Sequence, residues 1–135
     1  MPRTILQIDD DLGVSAALLV RLRAAGYEMV SVHDGRAGLI AAEEHRPAAI
    51  LLDIRMPEMD GFEVCRRLKA TPVLAAIPVI FLTANAGDDA RQLAAKLGAA
   101  GFLAKPYEPN ELIEAIEEAI NPADGARRAP DRREG

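Results

Sequence analysis

Residues 48–53 read Ala-Ala-Ile-Leu-Leu-Asp, five apolar positions without a break, closed by an acid. A strand with one wet face alternates apolar and polar residues, so a continuous apolar run of this length reads as a strand buried on both faces. The pattern recurs along the chain. Thr4–Ile8 is apolar apart from Thr4 and Gln7 and runs into Asp9-Asp10-Asp11. Pro78–Leu82 is wholly apolar and runs into Thr83. Phe102–Ala104 is a shorter version that runs into Lys105-Pro106, and Tyr27–Val32 alternates as a half-covered strand does.

Helical spacing fills the intervals. Leu12, Ala16, Leu19, Val20 and Leu22 recur on one turn period, with Gly26 suited to the C-terminal cap. Asp34 is an N-cap for a helix carrying Ala37, Ile40 and Ala41. Pro57 and Asp60-Gly61 break the chain before Phe62, Val64, Cys65 and Leu68. Ala90, Leu93, Ala94 and Leu97 mark a short helix stopped by Gly98. Leu112, Ile113, Ile116 and Ile120 line a last helix that Asn121-Pro122 ends. Five strands alternating with five helices, the central ones apolar throughout, predict a parallel sheet in a three-layer α/β/α sandwich with right-handed crossovers. In such sheets ligands bind beyond the C-terminal ends of the strands. Those ends carry Asp9, Asp10, Asp53, Thr83 and Lys105.

Composition agrees with this reading and removes others. The chain has 135 residues, half of them hydrophobic and 27% charged, which fits one globular domain and excludes wholesale disorder. No apolar run reaches the ~18 residues of a membrane helix, and three aspartates interrupt the first apolar stretch. No membrane segment or signal peptide is therefore expected, and a cytoplasmic location is. Cys65 is the only cysteine, which excludes a disulfide framework and a cysteine-based zinc site and points to a reducing compartment. His33 and His45 are too few and too far apart for a histidine-rich metal site. The net charge is −5. Residues 121–135 set four arginines against three acids and are net +1, which leaves −6 on the rest. An acidic body with three lysines lacks the electrostatic footprint of a nucleic-acid binder. Residues 121–135 show no periodicity and read as a disordered tail or linker stub after a domain over residues 1–120, with no room for an effector domain.

Three carboxylates at one sheet edge repel one another unless a cation neutralises them. Oxygen ligands with open positions suit Mg²⁺, with Mn²⁺ as the alternative, better than zinc. Lys105 adds a fixed positive charge and Thr83 a hydroxyl. An aspartate so flanked is equipped to receive a phosphoryl group: its carboxylate attacks phosphorus while the cations offset charge on the equatorial oxygens. Plainer readings compete. Asp53 as a loop acid does not explain its place at the end of an apolar strand. Asp9 and Asp10 as acids favouring a helix dipole do not explain their meeting with Lys105. For Asp11, capping is the better reading. Cys65 reads as a small helix-face hydrophobe, and both histidines as surface residues. Gln7 has no functional account, and its amide is expected to find backbone partners.

Four segments, in order and at their spacings, resemble the receiver domain of two-component response regulators, the CheY-like family. They are Ile5-Leu6-Gln7-Ile8-Asp9-Asp10-Asp11, the run 50–61 ending Asp53-Ile54-Arg55-Met56-Pro57-Glu58-Met59-Asp60-Gly61, Pro78-Val79-Ile80-Phe81-Leu82-Thr83-Ala84, and the run 98–106 ending Phe102-Leu103-Ala104-Lys105-Pro106. The likeness spans residues 3 to about 120. It implies the flavodoxin-like strand order 2-1-3-4-5 and a signalling switch rather than an enzyme that turns over a substrate. It also implies roles. Asp53 matches the phosphoacceptor, Asp10 the direct ligand of Mg²⁺, and Asp9 the acid that holds metal-bound water. The backbone carbonyl of Arg55 matches the third protein ligand. Thr83 and Lys105 match the groups that bind phosphoryl oxygens, and Phe102 the aromatic whose rotamer couples to Thr83. A core role for Phe102 is compatible with that. Lys105-Pro106 matches a cis bond. The implied partners are a histidine kinase or histidine phosphotransfer protein as donor, and a downstream protein that reads the face of the fourth helix, fifth strand and fifth helix. Neither direct nucleic-acid binding nor a membrane is expected, and the chain is expected as a monomer or weak dimer.

Several positions are this sequence's own. Arg55 and Asn85, each two residues beyond a site residue, line the mouth of the expected site. The turn Gly98-Ala99-Ala100-Gly101-Phe102 lacks acids, and the last helix carries Glu111, Glu114, Glu117 and Glu118 without Lys or Arg. This argues against the dimer interface used by receivers joined to winged-helix domains. The glutamates read as a solvated face or as a docking surface for a basic partner. Other classes stay open: the receiver part of a longer DNA-binding regulator, with its effector beyond residue 135, and a phosphate-independent interaction module. A phosphatase of the haloacid dehalogenase type needs an acid where Arg55 stands.

Overall fold

The structure, a computed structural model, describes residues 3–13, 16–84 and 87–121. The elements are β1 (Arg3–Ile8), α1 (Ala16–Ala24), β2 (Tyr27–Val32), α2 (Gly35–His45), β3 (Ala49–Asp53), α3 (Gly61–Ala70), β4 (Val79–Thr83), α4 (Asp88–Lys96), β5 (Gly101–Ala104) and α5 (Pro109–Ile120). The strands form one parallel sheet in the order β2-β1-β3-β4-β5. The expected fold class and strand order are therefore those observed. Asn85 and residues 122–135, for which the sequence reading also set expectations, lie outside the described residues.

The period of two along each strand sends alternate side chains to opposite layers. Leu6, Ile8, Ile50, Leu52, Val79 and Phe81 pack with Ala41, Ala42, Val64, Cys65, Leu68 and Ala94 of α2, α3 and α4. Ile5, Ala49, Leu51, Ile80 and Leu82 pack with Leu18, Leu22, Leu112 and Ile116 of α1 and α5. Complete burial of an aliphatic side chain contributes about 1.5–3 kcal/mol, so the central strands dominate the stabilisation. Gln7 sits in this core, 6% exposed, and its Oε1 accepts from Ser31 Oγ of β2 at 3.2 Å. Its partner is thus a side chain on the neighbouring strand, not the backbone group expected.

The helical stripes differ in detail from the sequence reading. Leu12 precedes α1 and is 76% exposed, and Val20 is 67% exposed. The buried pair is Leu18 and Leu22, four residues apart on one face. At about 100° per residue, Val20 falls opposite Leu18, so one helix cannot bury both. In α2 the same geometry leaves Ile40 exposed and buries Gly35, Gly38, Ala41 and Ala42. Asp34 caps α2 by accepting from the Ala37 N–H at 2.7 Å. Gly26 and Gly98 both adopt positive φ after α1 and α4, the left-handed turn for which glycine has no Cβ penalty. Among the described residues no helix is long and apolar enough to cross a membrane.

Candidate functional site

The register of the sheet builds the site. Ile8 of β1 pairs with Leu52 of β3, so Asp9 and Asp53, each one residue further on, emerge side by side. Carboxylate oxygens of Asp9, Asp10 and Asp53 all lie within 4.8 Å of one another, with Asp9 and Asp53 buried and Asp10 exposed. Thr83 ends β4 and pairs with Ala104, and the Lys105 N–H donates to the Thr83 carbonyl at 2.8 Å. Lys105 is thereby delivered to the same edge. Its ammonium donates to Asp9 Oδ2 at 2.6 Å and stands 3.9 Å from Asp53 Oδ2. The Lys105-Pro106 peptide is cis. The other Asp9 oxygen accepts the Asp11 N–H at 2.9 Å, and Asp11 itself accepts the Gly13 N–H in a local turn that lies ahead of α1.

The electrostatics follow from burial and neighbours. Desolvation pushes the Asp53 carboxyl up. Lys105 and the N–H groups of Ile54 and Arg55 oppose this, while Asp9 adds to it. Burial pulls Lys105 down, but the Asp9 hydrogen bond and the charges of Asp53, Asp9 and Tyr107 outweigh it, and the ammonium is held above its ordinary value. Lys105 therefore remains a cation at neutral pH.

The loop after β3 approaches Asp53 closely. The Gly61 N–H donates to the Ile54 carbonyl at 2.8 Å, and a Cβ on Gly61 would fall 2.3 Å from the Asp53 carbonyl oxygen. Asp60 caps α3 by accepting from the Glu63 N–H. Beside the carboxylates this loop and α4 enclose a cleft of about 620 Å³, where Asp10, Arg55 and Asp60 stand over Met56, Phe62 and Ala90. On the other flank Gln7, Asp9, Lys105 and Tyr107 line a second cleft of about 470 Å³.

The donor set fits a hard divalent cation. Three carboxylates converge, and the exposure of Asp10 leaves room for the waters that Mg²⁺ keeps. Both Asp9 oxygens already accept a donor, the Lys105 ammonium on one and the Asp11 N–H on the other.

Thr83 and Phe102 share a layer. Phe81 pairs with Phe102 and Thr83 with Ala104, so the side chains of Phe81, Thr83 and Phe102 project toward α3 and α4. Thr83 is buried and Phe102 half-buried, its ring 6.4 Å from that of Phe81.

The structure also places residues that sequence reasoning passed over. His33 is exposed, as expected, yet its Nδ1 lies 3.1 Å from the Asp9 carbonyl, because the pairing of Ile8 with Val32 sets the two next residues together. Tyr107 lines the Lys105 flank, with its phenol pushed up by burial. Arg91 of α4 lies against the Phe102 ring. Strand register would have found His33; Arg91 needs the rotation of α4. Of the last-helix glutamates, Glu111 accepts the Glu108 N–H at 3.0 Å and so closes the first turn of α5. Its carboxylate is thus a capping group, a structural role of its own.

Comparison with known proteins points the same way. A family model described as the response regulator receiver domain matches residues 5–117. The DNA-binding response regulator MtrA of Mycobacterium tuberculosis is 34% identical over 116 residues, covering 86% of this chain and 50% of that protein. The chain thus spans about half the length of the curated relatives it matches. Among solved structures, a response regulator of Chloroflexus aurantiacus superposes with a TM-score of 0.82 at 33% identity, covering 90% of this chain and 99% of that one. The receiver domain of a sensor histidine kinase from Pseudomonas aeruginosa, with a magnesium ion coordinated in its active-site cleft, superposes with a TM-score of 0.78 at 32% identity, with the same two coverages.

Proposed function

The chain belongs to the response regulator receiver domain family, and on that premise we propose that residues 1–120 form a phosphorylation-driven switch in a two-component relay. The observation that carries the reading is the meeting of Asp9, Asp10, Asp53 and Lys105 at one strand edge. Asp53 is the phosphoacceptor. One of its carboxylate oxygens bonds phosphorus as the phosphorus–nitrogen bond of a donor phosphohistidine breaks, and the freed imidazole takes up a proton. Lys105 and the Thr83 hydroxyl bind the transferred oxygens. Asp10, Asp53 and the Arg55 carbonyl would hold Mg²⁺, with Asp9 acting through water. When bound, the ion offsets charge on the phosphoryl oxygens and needs no proton to do so. The Pseudomonas receiver, whose cleft carries magnesium, supports this assignment.

The phosphoryl group adds about −1.5 to −2 charges beside Thr83. Thr83 turns toward it, and Phe102, on the same layer, moves into the space released. The surface of α4, β5 and α5 is repacked for a partner protein. A gap of a few kcal/mol between the two packings is enough for this to act as a switch. The donor is a histidine kinase or a histidine phosphotransfer protein. The chain acts in the cytoplasm as a monomer or weak dimer, and its only chemistry is its own phosphorylation and slow dephosphorylation.

A second reading is favoured by curated relatives named as a DNA-binding response regulator and as a transcriptional regulatory protein, each about twice the matched length. In it, this receiver controls an effector that binds DNA. The α5 acids and the acid-free turn at 98–102 favour a protein partner instead.

Incubation with Mg²⁺ and a small-molecule phosphodonor tests the main reading. Wild type should gain one hydroxylamine-labile phosphoryl group and Asp53→Asn none. Equal labelling of the two proteins would falsify the assignment of Asp53.

A further inference from the structure

The Arg91 guanidinium carbon lies 4.7 Å from the centroid of the Phe102 ring, inside the ~6 Å reach of a cation–π contact. Arg91 is exposed on α4, and the ion pairs among the described residues engage Arg66, Arg67 and Lys105 rather than Arg91. Among the described residues its partner is thus the aromatic ring. The neighbouring residue, Ala90, lines the cleft that Asp10 and Arg55 share. Arg91 therefore joins the helix flanking the carboxylate site to the one aromatic on β5.

We propose that Arg91 is a positioning residue for Phe102, holding its half-buried ring against α4 and so setting how much of the phosphorylation energy the switch consumes. The inference rests on the reading above, that phosphoryl capture by Asp53 draws Phe102 toward Thr83. The contact exists for one ring position. A change of χ1 to another staggered well carries a phenyl ring several ångströms, out of reach of a guanidinium fixed on α4. Inward rotation then costs the cation–π attraction, and whatever stabilises the inward ring must supply it. By linkage, a weaker clasp raises the fraction of molecules ready to accept the phosphoryl group and tightens its capture by the same factor. A partly exposed contact of this kind corresponds to about a two- to fivefold change in an equilibrium constant.

The probe is beryllofluoride with Mg²⁺, which occupies the acceptor carboxylate as a phosphoryl mimic. Binding is measured by calorimetry, and ring position by ¹⁹F NMR of protein labelled with fluorophenylalanine, since the chain has only three phenylalanines. In wild type, binding should shift the Phe102 resonance. Arg91→Ala should tighten beryllofluoride about two- to fivefold and move the ligand-free Phe102 resonance toward its bound position. In a Phe102→Leu background, which keeps the apolar volume and removes the π face, Arg91→Ala should leave the affinity unchanged. Unchanged or weaker binding by Arg91→Ala overturns the proposal. Equal tightening in the Phe102→Leu background also overturns it, because the effect would then arise within α4. Failure of wild type to bind beryllofluoride would instead strike at the phosphoacceptor reading itself, so the two failures are separable.

Discussion

Lys105 is bonded to Asp9 at 2.6 Å and stands 3.9 Å from Asp53, so the ammonium at this sheet edge is committed to Asp9 rather than to the proposed phosphoacceptor. Asp9 is thereby ion-paired in place, and a metal ion bound at the cluster would compete with Lys105 for the same carboxylates. Lys105→Met leaves three carboxylates without their internal cation. Because Lys105 is part-exposed, the loss of stability should fall below the 3–5 kcal/mol seen for fully buried pairs, at about 1–3 kcal/mol. Saturating Mg²⁺ should restore more stability to this variant than it adds to wild type. Thermal melts with and without Mg²⁺ check this, and equal magnesium-induced shifts would count against the competition.

Gly61 is constrained by Asp53 rather than by its own dihedrals. A methyl at this position would sit 2.3 Å from the Asp53 carbonyl oxygen and 2.9 Å from the Ile54 Cα, both backbone atoms that cannot swing aside. Gly61→Ala should therefore cost at least the ~1–3 kcal/mol of ordinary overpacking. It should also slow phosphorylation, because the strand end carrying the acceptor must shift. Gly87, the N-cap of α4, has no side-chain cap, and among the described residues nothing lies within 4 Å of where its Cβ would be. Gly87→Ser should be neutral or stabilising by a few tenths of a kcal/mol. Urea midpoints of both variants separate crowding at Asp53 from a general intolerance of glycine replacement.

The pattern of these effects shows what a linear sequence carries. Ile50-Leu51-Leu52-Asp53 announces a doubly covered strand and the residue at its active end, because burial and the period of two act locally. Asp9, Asp10, Thr83 and Lys105 were legible for the same reason: each terminates such a run. The face of α1 was not. Leu12, Val20, Leu18 and Leu22 are all apolar, and only docking on the sheet selects Leu18 and Leu22. The bond between His33 and the Asp9 carbonyl depends on strand register, and the Arg91–Phe102 contact on the rotation of α4. Neither quantity is written in local hydropathy.

Tyr27 makes stability depend on alkaline pH. Burial first, and then the Glu117 carboxylate, push its phenol above the ordinary value, with Arg3 opposing. A phenol raised in the folded state keeps its proton where the unfolded chain has begun to lose it, from about pH 10. The unfolded state then binds fewer protons, so stability falls as pH rises through that window and is fully present below it. Tyr27→Phe removes this titration. The stability gap between wild type and Tyr27→Phe should be constant up to about pH 9 and shift in favour of the variant towards pH 11. Urea midpoints across that range decide it, and parallel profiles would remove Tyr27 from the account.

Arg55 stands two residues beyond Asp53, the proposed acceptor, shares its cleft with Asp10 and Asp60, and is exposed at the mouth. A guanidinium there can donate to phosphoryl oxygens and cover the face through which water must reach phosphorus. The backbone of Arg55, not its side chain, is assigned to the metal, so replacing the side chain leaves the proposed cation site intact. Arg55→Ala should therefore accept a phosphoryl group at a rate near wild type yet lose it roughly two- to tenfold faster, the span expected for removing one charge-assisted hydrogen bond and a partial water shield. Following loss of labelled phosphate at fixed Mg²⁺ measures the lifetime directly. An unchanged lifetime would show that the Arg55 side chain stays clear of the phosphoryl group, and a proportional loss of phosphorylation rate would place Arg55 in acceptance rather than in protection of the product.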